Sequence, residues 1–453
     1  VYETVDTPDP EMSIEGKRFL NTTAKRNWTF AYPGQHTLTG SVSDIMLLNG
    51  WPLRFPIGKV TTIPQAVDGS ATLDGAVKKG DVFITLSGSH GYNVDEYIAI
   101  YDAANTSNTT KTTEVRKIVT FPTTNVARLN YPLSFDHITA AYVRTVNSPT
   151  YYDHEIIETT DLDTVSWHVH MKESSETAAK DFDRRYVGGM IGSASISAEE
   201  GGMVSMSWDS VNFLNMIHNQ QNQTTVSTNL YNGASVSANM PRFGVMQKID
   251  EDDLGEPGIN TGSGLPSTQP YYFSQGTVKF FGQTFARIRS FSLSISNGEE
   301  PRYYIGQQGS RARGPYEIRE GAREYSMSCS LALPDASVNA DAAHASADQD
   351  GALEIFRQLL LEGNYGGTGT AGNAGFTVSL RFDRGTNDYI IIDMPGGTVA
   401  GTPTATTSGL NNAGVYINTA SHGITSDNPM QIDADMIIRS LKIYVRDTEP
   451  IYP

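Results

Sequence analysis

The chain is almost free of cysteine and has no long apolar run. Its 453 residues contain one cysteine, Cys329, so no disulfide can form within one chain. No stretch of about 18 or more apolar residues occurs, which excludes a membrane-spanning helix on sequence grounds. Residues 1–19 are polar and acidic, and they lack the charged-then-apolar pattern of a secretory signal. We expect them to form an extended arm.

Cations are also scarce. Lys and Arg number 33 against 50 Asp and Glu, which gives a formal net charge of -17. Proteins that hold nucleic acid by neutralising its phosphates need clustered Lys and Arg. The composition therefore argues against stable nucleic-acid binding, although a chain of this charge can lie beside DNA and repel it.

Motifs of the common enzyme classes are missing as well. The sequence contains no nucleophile elbow, no phosphate-binding glycine loop and no dinucleotide fingerprint with the right flanks. We therefore predict that the protein is not an enzyme, with no catalytic residue, no cofactor and no metal site.

Three groups of residues resemble sites when each is taken singly. His168 and His170 lie two apart in a predicted strand near His154, but no acidic or cysteine partner stands at ligand spacing. Ordinary strand histidines are therefore favoured over a metal site. The run Asp250–Asp253 lacks the alternating oxygen-ligand spacing of a calcium loop, and we interpret it as a solvated acidic loop. Cys329 falls on an apolar strand face, which indicates a buried, unreactive thiol.

Serine is abundant instead, at every second position of several segments. Period-two alternation of serine with apolar residues recurs in SASIS, MVSMSW, SFSLSIS and EYSMSCSLAL. The pattern predicts antiparallel strands with one face buried and one face lined by hydroxyl groups. In the last two segments the serines are Ser290, Ser292, Ser294, Ser326, Ser328 and Ser330.

Changes in composition divide the chain into three regions. Residues 1–57 combine the arm with a predicted hairpin whose turn is Asn49-Gly50. Residues 58–147 contain short apolar strands separated by Gly, Asn and Thr, which predicts a small inserted all-β domain. Residues 148–453 carry the serine-patterned strands and are predicted to form the main body.

One helix and two long loops interrupt the predicted strands of the body. Residues 348–362 begin at usable N-caps and carry an apolar stripe at helical spacing, so we predict a helix that flanks the β structure. Residues 218–273 and 394–430 follow no regular period, and loops of that length usually have a function. We expect both to contact neighbouring subunits.

The order of motifs in the second half resembles the tail tube, or major tail, proteins of tailed bacterial and archaeal viruses. The resemblance covers about residues 180–453. The segments that carry it are RRYVGGMIGSASISAEEGGMVSMSWDSVNF, PYYFSQGTVKFFGQTFARIRSFSLSISNGEEPRYYIG, GPYEIREGAREYSMSCSLALPD, LEIFRQLLLEG, GFTVSLRFDRGTNDYIIIDMP and DADMIIRSLKIYVRDTEPIYP.

The resemblance implies a mainly β protein, an antiparallel β-sandwich or barrel with one flanking helix. It implies homohexameric rings that stack helically into a tube, with inner strands forming a channel through which viral DNA passes into the host without being held. The implied partners are further copies of the chain and the tail terminator, tape-measure and distal tail proteins. The implied location is the virion tail, after assembly in the host cytoplasm. A domain at residues 58–147 departs from a minimal tube protein, and we expect it on the exterior.

In such a tube the alternating serines listed above are expected to face the channel. The alternative function is a carbohydrate-binding or adhesive β-sandwich of a virion or cell surface. Its motivation is the aromatic content of Tyr271–Phe273 and Arg302–Tyr304. The sequence indicates neither whether the host is bacterial or haloarchaeal nor whether the tail is contractile.

Overall fold

The structure, a computed structural model, is mainly antiparallel β-strand, as the sequence predicts. None of the helices in the described part is long and apolar enough to cross a membrane. The predicted helix at 348–362 and the run Asp250–Asp253 lie outside the described residues. The described residues are 4–7, 11–17, 30–88, 90–102, 112–147, 151–171, 182–220, 269–280, 283–285, 288–304, 315–332, 378–395, 414–425 and 428–452.

The elements are numbered in chain order. The first are β1 (Thr4–Asp6), β2 (Glu11–Lys17), β3 (Phe30–Thr37), β4 (Thr39–Met46), a 3-10 turn (Trp51–Leu53), α1 (Arg54–Ile57) and β5 (Gly58–Pro64). Then come β6 (Val67–Asp68), β7 (Phe83–Thr85), β8 (Tyr97–Tyr101), β9 (Glu114–Thr123), β10 (Val126–Leu129) and β11 (Tyr142–Val146). They are followed by β12 (Tyr152–Glu158), β13 (Val165–Met171), β14 (Phe182–Glu199), β15 (Ser205–Asn212), β16 (Asn215–Gln220), a 3-10 turn (Phe273–Gln275), β17 (Gly276–Phe280), β18 (Gln283–Phe285) and β19 (Ile288–Ser296). The last are β20 (Glu300–Arg302), β21 (Glu317–Arg319), β22 (Glu324–Ala332), β23 (Val378–Gly385), β24 (Asp388–Met394), β25 (Val415–Thr425), β26 (Asn428–Ile438) and β27 (Lys442–Asp447).

Two antiparallel sheets form the body. The first sheet has the order β1-β4-β15-β14-β19-β22-β26-β25, and β13 and β16 also pair with β14. The second sheet has the order β18-β17-β23-β24-β27-β12-β5. Phe291 of the first sheet stacks on Phe382 of the second with 5.8 Å between ring centroids, and one hydrophobic cluster spans both sheets. The body is therefore a β-sandwich, in agreement with the predicted fold class.

The alternation seen in the sequence sets which residues enter this core. Leu293 and Ile295 of β19 are fully buried, as are Leu380 and Ile392 of the opposite sheet. Burying a side chain of this size contributes about 1.5–3 kcal/mol to stability. A register slip by one residue would exchange the buried and exposed faces of a strand, so the apolar positions fix the pairing.

The hairpin predicted around Asn49-Gly50 does not form. Strand β4 pairs with β1 and β15, while β5 pairs with β12. Between them the chain makes the 3-10 turn and α1, whose Leu53, Phe55 and Ile57 are buried. These apolar side chains therefore close one end of the core. Gly50 is needed for close packing, since a Cβ at this position would lie 2.4 Å from Val445 Cγ2.

The predicted loop at 394–430 is shorter than expected. Its last 16 residues contain all of β25 and the start of β26, which pair at the edge of the first sheet. Likewise, the segment 218–273 begins with the end of β16, which pairs with β14. The sequence signal was weak because Thr, Asn, Ser and Gly dominate both segments.

Residues 67–146, here called the insert, form a separate six-stranded sheet. Its order is β6-β11-β8-β9-β10-β7, and it has a hydrophobic cluster of its own that includes Leu86, Ile98 and Ile118. The insert lies between two neighbouring strands of the second sheet, because Pro64 of β5 is directly opposite Tyr152 of β12. It thus occupies the place of a hairpin turn. Strand β5 itself belongs to the second sheet, although its residues 58–64 fall inside the predicted inserted region.

Apolar contacts attach the insert to the body. Ala99, Val115 and Val146 of the insert pack with Tyr152 and Ile451 in one buried cluster. The backbone N–H of Thr62 also donates to the carbonyl of Thr113 at 2.9 Å. The insert is therefore docked on the second sheet and not merely linked to it.

Buried polar groups stabilise the insert internally, and an ion pair links it to the body. In the insert, the Glu114 carboxylate accepts the Ser134 N–H at 2.8 Å and lies 2.5 Å from Arg116 Nη2 and 2.8 Å from His137 Nε2. Although burial opposes ionisation, Arg116 and His137 hold the pKa of Glu114 below its usual value. Asp163 of the body pairs with both Arg54 and Lys79, the latter at 3.1 Å and from the insert.

The insert can be removed at its base by a defined excision. Replacing residues 66–150 with Asn-Gly leaves β5 and β12 joined by a short hairpin loop. We expect a folded body that is about 3 kcal/mol less stable, since Tyr152 and Ile451 lose their apolar cover. Circular dichroism and thermal unfolding measure both effects.

The matched control removes residues 59–147. It deletes most of β5 and leaves β12 without a neighbour on that side, so we expect it to be insoluble or unfolded. Equal behaviour of the two deletions would contradict the assignment of β5 to the second sheet.

Candidate functional site

The alternating serines of β19 and β22 lie side by side on the outward face of the first sheet. Ser292 is directly opposite Ser328, and Ser294 is opposite Ser326. Ser290 and Ser330 form the next pair. The residues between them, such as Leu293 and Met327, point into the core. The structure thus brings together all six serines singled out in the sequence.

The rows of serine continue onto β14 and β15. Ser197 is opposite Ser292 on one side and Ser205 on the other, and Ser195 is placed in the same way between Ser294 and Ser207. The hydroxyl-lined surface therefore spans four neighbouring strands, about 4.8 Å apart. We call it the serine face, comprising Ser195, Ser197, Ser205, Ser207, Ser290, Ser292, Ser294, Ser326, Ser328 and Ser330.

Acidic residues extend the serine face on its other side. Asp433 and Asp435 of β26 lie opposite Ser330 and Ser328, and Ser421 and Thr419 of β25 follow in the same rows. These aspartates are exposed. The sequence analysis missed them, although DADM shows the same period-two alternation as the serine segments.

The serine face is a shallow, wettable surface. Its central part is a depression of about 600 Å³ that Glu199, Asp433 and Asp435 border. Few of its hydroxyls bond to each other; Ser197 and Ser205 approach to 3.4 Å. Ser195 Oγ also donates to Asp209 at 3.4 Å, and Ser207 Oγ accepts the Asp44 N–H at 3.2 Å. Hydroxyls on the exposed side of the sheet can also bond to water.

Positive charge is absent from the rows of the serine face. From β15 to β25 their described outward positions are Ser, Thr, Asp and Glu, with Ile437 and Tyr416 at one end. Arg289 stands at the margin, where its Nε lies 3.4 Å from Glu200. The surface is hence neutral to acidic.

The outward face of the second sheet has the opposite character. Arg446 lies 2.6 Å from Asp153 and 4.2 Å from the ring centroid of Tyr151. Arg381 similarly pairs with Asp383 at 2.7 Å. Arginines are thus held against carboxylates and aromatic rings on this face, and the two outer faces of the sandwich differ in charge.

The NGEEP segment after β19 ties the end of the first sheet to α1. The buried Asn297 side chain donates to the carbonyls of Pro56 and Ile191 at 3.0 and 2.8 Å, and its Oδ1 accepts from Arg323 at 2.8 Å. Arg323 also donates to the carbonyl of Ile57 at 3.1 Å. Asn297 and Arg323 therefore position strands β19 and β22, from which the serines project.

Two glycines allow this junction to close. Gly298 has a φ of 57°, which favours glycine, and a Cβ at Gly321 would lie 2.2 Å from the Gly298 carbonyl oxygen. Gly298 belongs to the NGEEP motif and Gly321 to the GAREY motif, so these motifs form a structural joint.

Comparison with protein families gives one match that covers most of the chain. A family model described as phage tail tube protein matches residues 22–436.

The chain belongs to the phage tail tube protein family.

No curated protein matches it. Members of this family are structural proteins of the virion tail that assemble into a tube, so the resemblance noted in the sequence is confirmed.

Of the three histidines considered as metal ligands, the structure describes the side chain of His154. His154 is buried, stacks on Tyr452 with 3.9 Å between centroids and lies 2.9 Å from Thr62 Oγ1. The side chains of His168 and His170 lie outside the described residues. Across the side chains that the structure describes, no group of three or more His, Cys, Asp and Glu could hold a metal ion.

The aromatic residues considered as a sugar platform also differ from one another. Tyr271 is buried, its ring is covered by Arg384 at 3.9 Å and its hydroxyl donates to Asp388 at 2.7 Å. Tyr304 is exposed but packs edge-on against Tyr316. Tyr271 therefore offers no open ring face on which a sugar could stack.

The buried thiol of this tail tube protein gives a direct chemical test of the strand register. Burial, with Asp435 and Asp433 nearby, raises the pKa of Cys329 to about 12. Its thiolate population at pH 8 is roughly a thousandfold below that of an ordinary exposed cysteine.

We expect native protein to react with a colorimetric disulfide reagent over hours and unfolded protein within minutes. Absorbance of the released thiol measures both rates. Rapid reaction of the native protein would contradict the inward orientation of Cys329.

Proposed function

We propose that this tail tube protein forms hexameric rings that stack into a tube, and that viral DNA passes through the tube with the serine face as its channel wall. The observation that carries the proposal is the continuous hydroxyl surface on four strands of the first sheet, which is bordered by aspartates and has no Lys or Arg at the described outward positions of its rows. The protein acts as a conduit and performs no catalysis.

The physical chemistry of the serine face suits a channel that must not retain DNA. Each Lys or Arg that neutralises a phosphate releases counterions and adds affinity, which slows a moving duplex. Serine hydroxyls keep the wall hydrated without adding positive charge. Asp433 and Asp435 repel phosphates, so DNA stays away from the wall.

The contrast between the outer faces of the two sheets supports an orientation in which the serine face points toward the channel. The second sheet holds the paired arginines and also carries the insert, whereas the serine face belongs to the first sheet. The insert contains seven Lys and Arg against eight Asp and Glu, so nearly all of the net negative charge belongs to the rest of the chain. An insert on the tube exterior fits both observations.

The edges of the first sheet support closure into a ring. Strand β25 is an edge strand of 11 residues, VYINTASHGIT, without a proline or a charged residue. Proteins normally protect such an edge with Pro, Lys or a covering element. At the opposite edge, β1 covers only Ser41–Ser43 of β4. We infer that β25 of one subunit pairs with this opposite edge of the next.

Contacts between rings are assigned to segments outside the two body sheets. The pair β2–β3 forms a two-stranded sheet of its own. Together with residues 221–268 and 396–413, which connect the described strands, this pair provides the inter-ring surfaces in our proposal. The tail terminator, tape-measure and distal tail proteins then meet the ends and channel of the tube, which is assembled in the host cytoplasm.

Introducing charge on the serine face tests its role in DNA passage. We expect Ser292→Arg combined with Ser294→Arg to fold and assemble, because both positions lie on the outward face of β19. The change in folding stability should stay within about 0.5–1 kcal/mol. DNA delivery should fall at least tenfold, because a ring of arginines binds phosphates.

The readouts are electron microscopy of tubes and the delivery of genomes by virions carrying the variant. Ser379→Arg, on the outward face of the second sheet, is the matched control and should deliver normally. Normal DNA delivery by the double variant would contradict the assignment of the serine face to the channel wall.

Proline substitution tests the edge pairing of β25. Neighbouring residues of an edge strand point their N–H groups alternately to the partner strand and to the free side. Of Ser421→Pro and His422→Pro, we therefore expect one to disturb the β25–β26 pair and the other to fold normally but not assemble.

Size-exclusion chromatography with thermal unfolding separates these cases. Tube formation by the normally folding variant would show that the free side of β25 is not an interface.

A further inference from the structure

The pairing of β13 with β14 gives the histidines of β13 an acidic neighbour. On sequence alone, His168 and His170 lack such a partner at ligand spacing. In the sheet, His170 is directly opposite Asp183, and His168 is opposite Arg185. Two histidines and one aspartate therefore meet across two neighbouring strands, which spacing along the chain does not reveal.

Alternation along β13 places the two histidines on one face of the strand. Trp167 and Val169, which alternate with them, pack against the hydrophobic core of the body. Successive strand residues belong to opposite faces, so His168 and His170 are on the face away from that core. Directly paired residues of an antiparallel ladder share a face, so Asp183 is on the same face as the histidines.

The spacing of these three positions suits a divalent transition metal ion. Residues two apart on a strand are about 7 Å apart, and directly opposite Cβ atoms are about 4.5–5.5 Å apart. Zinc binds imidazole nitrogens and carboxylate oxygens at about 2.0–2.2 Å, so side chains of these lengths can reach one ion from such positions. Two histidines and one carboxylate are an established zinc ligand set, in which water takes the fourth place.

We propose that His168, His170 and Asp183 form a binding site for one divalent transition metal ion, of the zinc type, in each subunit. The inference goes beyond the proposed tube function and does not depend on it. Among the described strands, β13 pairs with β14 alone. A metal ion held by both strands would therefore fasten β13 to the sheet, as structural metal ions do.

Arg185 gives the site a distinctive test. It is opposite His168 in the same ladder, so its positive charge opposes the binding of a cation nearby. We expect Arg185→Gln to bind the metal more tightly than wild type, by about two- to tenfold. A purely structural role of these residues would not produce tighter binding.

The experiment titrates Zn²⁺ into the untagged full-length protein and follows binding by calorimetry. For wild type we expect one site per subunit that involves all three residues. His168→Ala, His170→Ala and Asp183→Asn should each weaken binding at least about tenfold, since losing even a residue behind a metal ligand costs about 10–100-fold. Asp183→His exchanges one zinc ligand for another and should retain binding.

The matched control is His218→Ala, on the other neighbour of β14. His218 of β16 is opposite Arg184, which is adjacent to Asp183 in sequence and therefore on the opposite face of β14. Its removal should leave zinc binding as in wild type. Circular dichroism establishes that each variant is folded.

Several results would overturn the inference. They are a wild-type protein that binds no zinc, binding that survives in His168→Ala or His170→Ala, binding that is unchanged in Asp183→Asn, and an equal loss in His218→Ala. If an alanine variant is unfolded, Arg185→Gln decides the question: tighter binding than wild type supports the site, and unchanged or weaker binding overturns it.

Discussion

The structure depends on the burial of one face of each strand in the first sheet. Phe291, Leu293 and Ile295 can enter the core only if the serines between them point away from it. Because neighbouring strands obey the same alternation, their serines fall into register across β15, β14, β19 and β22. The outward surface is thus fixed by the packing beneath it, and a slip by one residue in any strand would place hydroxyls in the core.

The same sandwich separates two chemically different surfaces. The first sheet shows hydroxyls and aspartates, whereas the second shows arginines that are held by Asp153, Asp383 and nearby tyrosines. In the channel that we propose, this separation matters because cations on the channel side would retain DNA. Residues far from the serine face, such as Asn297 and Arg323, contribute by holding the ends of its strands.

Local patterns predicted much of this arrangement. The serine segments gave the correct strands and the correct outward residues, since an amphipathic strand has two clearly different faces. The neighbours of each strand were not predictable from the sequence. Strands β14 and β19, for example, are about 90 residues apart along the chain and pair only in the folded sheet. The prediction of a hairpin at Asn49-Gly50 was wrong because Leu53, Phe55 and Ile57, which follow it, fill the end of the sandwich. The inserted region was placed a few residues too early since only the pairing of β5 with β12 reveals where the body resumes.

The way in which the insert joins the body has a consequence for how such a protein can diversify. Pro64 and Tyr152 face each other across a single pair of strands, so the entry and exit points are only about 5 Å apart. Any compact domain whose own termini meet at that spacing can be grafted there without altering the strand order of either body sheet. In the tube that we propose, each such graft would be repeated once per copy of the chain.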